Sequence, residues 1–302
     1  NFLNKLWNAN NFLIQNKCTL KISKKIPKPK VNINKWILSE LLEASNLIKK
    51  NIKDYRFDEA AKNAYHFAWH TYCDWYLELS KTILYSNNTK AKTEVKEVST
   101  FIFGQILILL HPFIPFVTEK IWLLNKFDQN GKNFLMLSNW ISGKSKKDTD
   151  FHQVNKIIDI ISNIRSFKNE LNVSPGSFVD ISIHNIKKNN QSFVMNNEII
   201  IKKLGRINNF FKKDQNRPSA SLIISGDLFK IYFDENVDLN TIKENLQNRQ
   251  SKYQAEIDKI SQRLNNKSFI QRAPKDIVQQ EKNNYSNLKK DIEKISLTIG
   301  SL

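Results

Sequence analysis

The chain is expected to be mainly α, in three consecutive parts. A helical bundle would occupy residues 1–141, a small α+β domain 142–238, and an antiparallel coiled-coil hairpin 239–302. Apolar residues recur at helical spacing through the first part. Alternating apolar positions flank Gly226-Asp227 in the second, as in a hairpin. In the third, a stripe advances by threes and fours. Only 7 Gly in 302 residues argues against an extended doubly wound sheet or a β-barrel, both of which need many tight turns.

Asn1 to Phe12 already reads as the interior of a helix, so the simplest expectation is a piece cut from a larger protein. No charged start, apolar block and small-residue cleavage site mark a signal peptide. Residues 24–31 (KKIPKPKV) form a proline-bearing extended connector, since each Pro removes a donor and restricts its predecessor. Asn34 is then expected to cap a helix carrying Ile37, Leu38, Leu41, Leu42 and Ile48. A third helix starts near Asp58, a fourth runs from about Thr93 to Leu110, and Pro115 suits the first turn of a fifth. Short loops between such helices make an antiparallel bundle. The apolar run Phe101–Phe116 is cut by Pro112 and Pro115 and falls short of the roughly 20 residues of a membrane span, so it is read as a core helix.

Residues 142–150 (SGKSKKDTD) are polar and charged, and are taken as a domain boundary. An amphipathic helix over 151–171, a Ser174-Pro175-Gly176 turn, a strand over 178–184, a helix through 193–204 and strands at 219–225 and 228–233 follow. From Leu239 the pattern becomes coiled coil. Val278, Tyr285, Leu288, Ile292, Ile295 and Ile299 form a seam in which Glu281 fills the missing position. Ile242, Leu246, Tyr253, Ile257, Ile260 and Leu264 supply the facing stripe, and 265–274 breaks the two arms. At about 1.5 Å per residue each arm reaches near 40 Å.

Lys+Arg number 47 against 29 Asp+Glu, a net charge of +18 that points to a polyanionic partner, with base-composition bias supplying part of the excess. The 2 cysteines suit a reduced, cytoplasmic setting. His66, His70 and Cys73 share a helix face at spacings suited to a metal, but no glutamate stands between the histidines and no fourth ligand is evident, so they are read as packing. Asp74 and Glu78 are read as a solvated face. No Gly-rich phosphate loop or nucleophile elbow occurs. Residues 21–25 (KISKK) imitate a flexible ATP-site loop, but the partner HxGH motif is absent and the match is rejected. Aromatic rings beside basic helix starts can stack on unpaired bases. Trp36, between Asn34, Lys35 and the basic connector, is the candidate; Trp7 and Tyr55 are read as core.

Several stretches together resemble one family. NKLWNA (4–9), WILSEL (36–41), YRFDEAA (55–61), CDWYLEL (73–79) and LHPFIPFVTEKIW (110–122) are similar to the anticodon-binding domain of valyl-tRNA synthetases. RSFKNELNVSPG (165–176) and NKSFIQRAPKDIVQQE (266–281) resemble the same family's linker and coiled-coil arm. The resemblance is collinear over essentially the whole chain. It implies a bundle that reads the anticodon and an arm that braces the outer corner of a valine-accepting tRNA. The catalytic and editing domains would lie N-terminal to this chain, with ATP and Mg in the full-length ligase and no cofactor here. The piece itself is expected to be catalytically inactive, monomeric, cytoplasmic and not membrane-bound. Family members commonly carry Arg where Asn11 and Glu40 stand, so no anticodon-reading Arg transfers to those positions.

Asn4, Asn8 and Asn11 share one helix face with donor and acceptor groups suited to base edges. With Lys5, Lys35 and Trp36 they make the expected anticodon site. Lys28 and Lys30, and in the arm Lys252, Lys259, Arg263, Lys267 and Arg272, are expected to hold tRNA phosphates as a group. The alternatives are the equivalent region of an isoleucyl- or leucyl-tRNA synthetase, or a non-enzymatic RNA- or partner-binding coiled-coil protein.

Overall fold

A computed structural model describes residues 1–18, 26–125, 127, 134–233, 238–266 and 274–302. The chain separates into two compact units, Asn1–Ile158 and Asp159–Leu302. The first holds α1 (Phe2–Gln15), α2 (Asn32–Lys53), α3 (Phe57–His66), a π-helical stretch (Phe67–Tyr76), α4 (Leu77–Leu84), α5 (Thr89–Leu110) and α6 (Pro115–Leu124). A short 3₁₀ turn (Leu135–Leu137) and the first part of α7 (Thr149–Glu170) complete it.

The core of this unit is α5, which is buried on every side from Val98 to Leu110, a stretch apolar but for Ser99, Thr100 and Gln105. Its N-terminus is capped by Asn88, whose side chain accepts from the Ala91 N–H at 3.1 Å, so the helix begins four residues before the expected Thr93. Pro115 stands in the first turn of α6 as anticipated. Asn34 does not cap α2. That helix starts at Asn32, and Asn34 is fully buried. Its amide donates to Glu94 Oε1 at 2.9 Å and its carbonyl accepts from the Tyr76 hydroxyl at 2.7 Å. Ser99 Oγ then donates to Tyr76 Oη at 3.2 Å, and Tyr72 Oη donates to the Ser99 carbonyl at 3.0 Å. This satisfied polar chain fixes α2, the π-helical stretch and α5 in one register.

The polar stretch that reads as a boundary is anchored along α2. Ser39 and Ser45 donate to the carbonyls of Lys146 and Ile141 at 2.8 and 2.9 Å, Asn46 to that of Gly143 at 2.9 Å, and Lys49 to Ile141 at 2.8 Å. These donors lie on one face of α2, so the helix supplies the bonds that a strand neighbour would otherwise give.

The second unit contains the rest of α7 and a four-stranded sheet in the order β2-β1-β4-β3. The strands are β1 (Val179–Ser182), β2 (Ile207–Phe211), β3 (Ala220–Ile224) and β4 (Asp227–Phe233). β1 and β2 are parallel, joined through α8 (Lys188–Asn196) and α9 (Glu198–Gly205), because a parallel pair needs a crossover. The single helix expected through 193–204 is thus two, broken at Asn197. The hairpin turn is Ser225-Gly226, one residue earlier than read. Ile224 pairs with Asp227, and φ is 50° at Ser225 and 82° at Gly226, the two positive values that match strand twist. β2 was not expected: its INNFF sequence exposes Asn208 and Asn209 and lacks a clean alternation.

α10 (Leu239–Asn265) and α11 (Lys275–Ser301) pair as the predicted hairpin. Gln250 meets Ser296 at 2.8 Å and Arg263 meets Glu281 at 3.0 Å, contacts that run in opposite chain directions and so define antiparallel arms. Ile242, Leu246, Ile257, Ile260 and Ile295 are buried in the seam. Glu281 occupies its seam position by reaching across to Arg263.

Candidate nucleic-acid interface

α1 buries Leu6, Ala9, Asn10 and Leu13, which turns the opposite face outward. Asn10 is held there by Asn125, whose amide donates to its carbonyl at 2.5 Å. Asn4 and Asn8 are exposed and Asn11 is half-buried. Trp7 flanks them, 39% exposed, so the expectation that it belongs to the core is corrected: it lies at the edge of the face that buries Leu6 and Leu13. The face therefore offers unpaired base-edge donors and acceptors beside an open aromatic ring.

Lys5 is drawn off that face. Its ammonium pairs with Asp74 and lies 3.8 Å above the Trp69 ring. The other carboxylate oxygen of Asp74 lies 3.1 Å from His70 Nδ1. Rings from Phe2, Tyr65, His66, Trp69 and His70 gather around this pair with centroids 4.9–6.4 Å apart. No three His, Cys, Asp or Glu side chains converge as metal ligands among the described residues. Burial pushes the Cys18 and Cys73 thiols up to about 11 and about 12.

The start of α2 is more closed than expected. Trp36 is 3% exposed and its Nε1 donates to Asn155 Oδ1 at 3.0 Å. The ring has no open face, so stacking of a base on Trp36 is corrected to a packing role. Lys35 Nζ bonds Asp150 at 2.6 Å, which raises its pKa. Its charge is already paired. Glu40 is partly buried, and burial together with Glu43 raises its carboxyl pKa. Lys28 and Lys30 remain exposed on the extended connector. Glu94 anchors that connector by accepting the N–H groups of Lys30 and Val31 at 3.0 and 2.9 Å.

Tyr55 is also corrected. It is 83% exposed, in a left-handed conformation (φ 59°) between α2 and α3, with its ring 6.3 Å from that of Phe57, itself 54% exposed. The polar neighbours Lys53, Asp54 and Arg56 were the signal that this aromatic belongs to a corner.

In the arm, Lys252 and Lys259 are exposed and lie two turns apart on one face of α10. Arg263 extends that face but is engaged by Glu281. Lys267 and Arg272 lie outside the described residues. Within residues 239–302, 12 Lys+Arg face 7 Asp+Glu, so the arm as a whole is basic. No helix among the described residues is long and apolar enough to cross a membrane.

Comparison with known proteins identifies the family. Residues 34–183 match a family described as the anticodon-binding domain of tRNA ligase, and residues 238–302 match the valyl tRNA synthetase tRNA binding arm. The valine–tRNA ligase of Pelagibacter ubique (strain HTCC1062) is 66% identical over 302 residues, which is all of this chain and 34% of that protein. The valine–tRNA ligase of Zymomonas mobilis is 35% identical over 230 residues, 74% of this chain and 26% of the relative. That of Brucella suis biovar 1 is 30% identical over 262 residues, 86% and 29% respectively. The chain thus spans about a third of the length of the curated relatives it matches, or less. Resembling one ligase from its first residue to its last, and matching the arm that characterises that enzyme, the chain belongs to the valine–tRNA ligase family.

Proposed function

We propose that this chain is the tRNA-recognition portion of a valine–tRNA ligase. The bundle reads the anticodon of a valine-accepting tRNA and the coiled-coil arm braces the tRNA's outer corner. ATP-dependent attachment of valine belongs to the part of such ligases that this chain does not span. The observation that carries the reading is the outward face of α1. There Asn4, Asn8 and Asn11 present side-chain amides with no hydrogen-bond partner among the described residues, around the open ring of Trp7.

Anticodon bases are unpaired, so their edges and faces are open to this kind of surface. A ring can stack on a base while an amide bonds its edge, which discriminates one base from another. Trp7 takes the stacking role first assigned to Trp36. Lys28 and Lys30, with Lys252, Lys259 and Arg263 and, by sequence, Lys267 and Arg272, supply the positive charge that holds backbone phosphates. Lys5 and Lys35 act through their ion pairs, orienting α1 and α2. The protein works as a monomer in the cytoplasm.

Filter binding with purified tRNAs tests the reading. A valine-accepting tRNA should be retained more tightly than isoleucine- or leucine-accepting tRNAs, and the affinity should fall steeply with salt. Equal retention of an unrelated RNA of matched length would favour a non-specific coiled-coil binder. Preference for a non-valine tRNA would assign the chain to a sister enzyme. ATP–pyrophosphate exchange by this chain alone would show that catalysis is not confined to the remainder.

A further inference from the structure

The corner between α4 and α5 carries charge that no role above absorbs. Tyr85, in the loop that joins the two helices, is 64% exposed. The first two turns of α5 bear Lys90, which is exposed, and Lys92 and Lys96, which are half-buried. None of these lysines forms an ion pair among the described residues, whereas Lys5, Lys35, Lys81 and Lys147 of the same unit are each held by a carboxylate. Hydrogen bonds fix what lies beside these turns. Glu94 Oε1 accepts from the N–H groups of Lys30 and Val31 and from the Asn34 amide, so the connector with Lys28 and Lys30 runs along them. The end of α1 is close as well: burial raises the Cys18 pKa, and the charge of Lys96 counters it.

The alternative is a solvated helix start in a lysine-rich chain. Local electrostatics favour a ligand instead. Lys90 and Lys92 stand in the first turn, where the helix dipole is positive and no acidic residue is present. Lys92 and Lys96 are four residues apart, which brings two like charges together on one face. Glu94 is committed to the connector by three donors, and Glu97 projects from a different face than Lys92. Folding alone favours carboxylates at such positions. An exposed ring beside the lysines adds a group that a nucleobase can use and a simple anion cannot.

We propose that Tyr85, Lys90, Lys92 and Lys96 form a second RNA contact on the bundle, continuous with Lys28 and Lys30. The lysines hold successive phosphates of one strand, and the Tyr85 ring stacks on an unpaired base of that strand. The strand belongs to the same tRNA, an assignment that rests on the tRNA-binding reading, and it flanks the bases met by α1.

Filter binding of the full 302-residue chain to a valine-accepting tRNA across a salt series tests the contact. One variant combines Lys90→Ala, Lys92→Ala and Lys96→Ala. The control removes equal charge through Lys50→Ala, Lys53→Ala and Lys62→Ala, exposed lysines at the far end of α2 and in α3. In the first variant the logarithmic salt slope should fall by about two and the affinity at physiological salt by about tenfold or more, with the control unchanged. Its thermal midpoint should not fall, since charges opposed to the helix dipole are removed, so the loss is one of binding and not of fold. Tyr85→Ala should weaken binding about fivefold or more at an unchanged slope, and Tyr85→Phe should restore it. An unchanged slope in the lysine variant, beside tight binding of valine-accepting tRNA by the unaltered chain, would overturn this contact and leave the tRNA-binding reading standing. An equal drop in the control would also overturn it, reducing the lysines to general charge. An unaltered chain that retains no tRNA would refute the tRNA-binding reading itself.

Discussion

Replacing Asn4, Asn8 and Asn11 together by Ala should move stability and binding in opposite directions. The amides of all three have no hydrogen-bond partner among the described residues, so their loss breaks nothing within α1. Ala is the better helix former by about 0.5 kcal/mol per interior position. Three substitutions, one of them in the first turn, should therefore stabilise the first unit by about 1 kcal/mol. For a unit of this size that raises the thermal midpoint by about 2–4 °C. Each base-edge hydrogen bond removed costs about 0.5–1.5 kcal/mol of binding. Loss of two or three then weakens tRNA binding by about fivefold or more, since tenfold corresponds to about 1.4 kcal/mol. Thermal melting and filter binding of one preparation give both numbers. A higher midpoint with unchanged tRNA affinity would mean that the face of α1 is only a polar helix surface.

The other substitutions divide packing from recognition. Trp36→Ala should cost about 3–5 kcal/mol of stability in urea, because it empties a core site and strands Asn155. Unchanged stability with weakened tRNA binding would restore its stacking role. Glu281→Leu should stabilise the arm by about 1 kcal/mol, the gain from an apolar seam residue exceeding the loss of an ion pair whose arginine side is exposed; a lower urea midpoint would contradict the seam register. Asp214 governs an acid limb. Burial works to raise its pKa, but bonds from Lys230, Ser182 and Asn185 overcome this and hold it below the usual carboxylate value. Its contribution is therefore present above the unfolded value of roughly 3.9 and lost as pH falls through the lower folded one. Asp214→Asn should flatten acid unfolding in that range, and an unchanged acid limb would refute the assignment.

Where one face of an element meets a core, the sequence pattern sufficed. The mostly apolar run of α5, Pro115 at the start of α6 and the three-four stripe of the arm each follow from local sequence alone. Glu281 was legible as a gap in a stripe, and the structure fills it with Arg263. Local chemistry without a period was harder to place. Asn34 has the composition of a cap, yet its amide is consumed by Glu94 and Tyr76, which are distant in sequence. The expected exposures of Trp36 and Tyr55 are reversed for the same reason. A ring's exposure depends on what lies across from it, and Asn155 stands 119 residues from Trp36. Residues 142–148 lack apolar side chains, and α2 holds them through the carbonyls of Gly143 and Lys146. β2 pairs through its backbone beside β1, so its two exposed asparagines erase the alternation that would mark a strand.

The most direct measurement is the affinity of the chain for a valine-accepting tRNA against the same tRNA with its anticodon bases replaced, each read across a salt series. Recognition through the bundle predicts that anticodon replacement weakens binding about tenfold or more at every salt concentration. The salt slope should stay the same, because the phosphates held by the lysines and arginines are untouched. Equal affinity for the two RNAs would contradict anticodon reading by this chain.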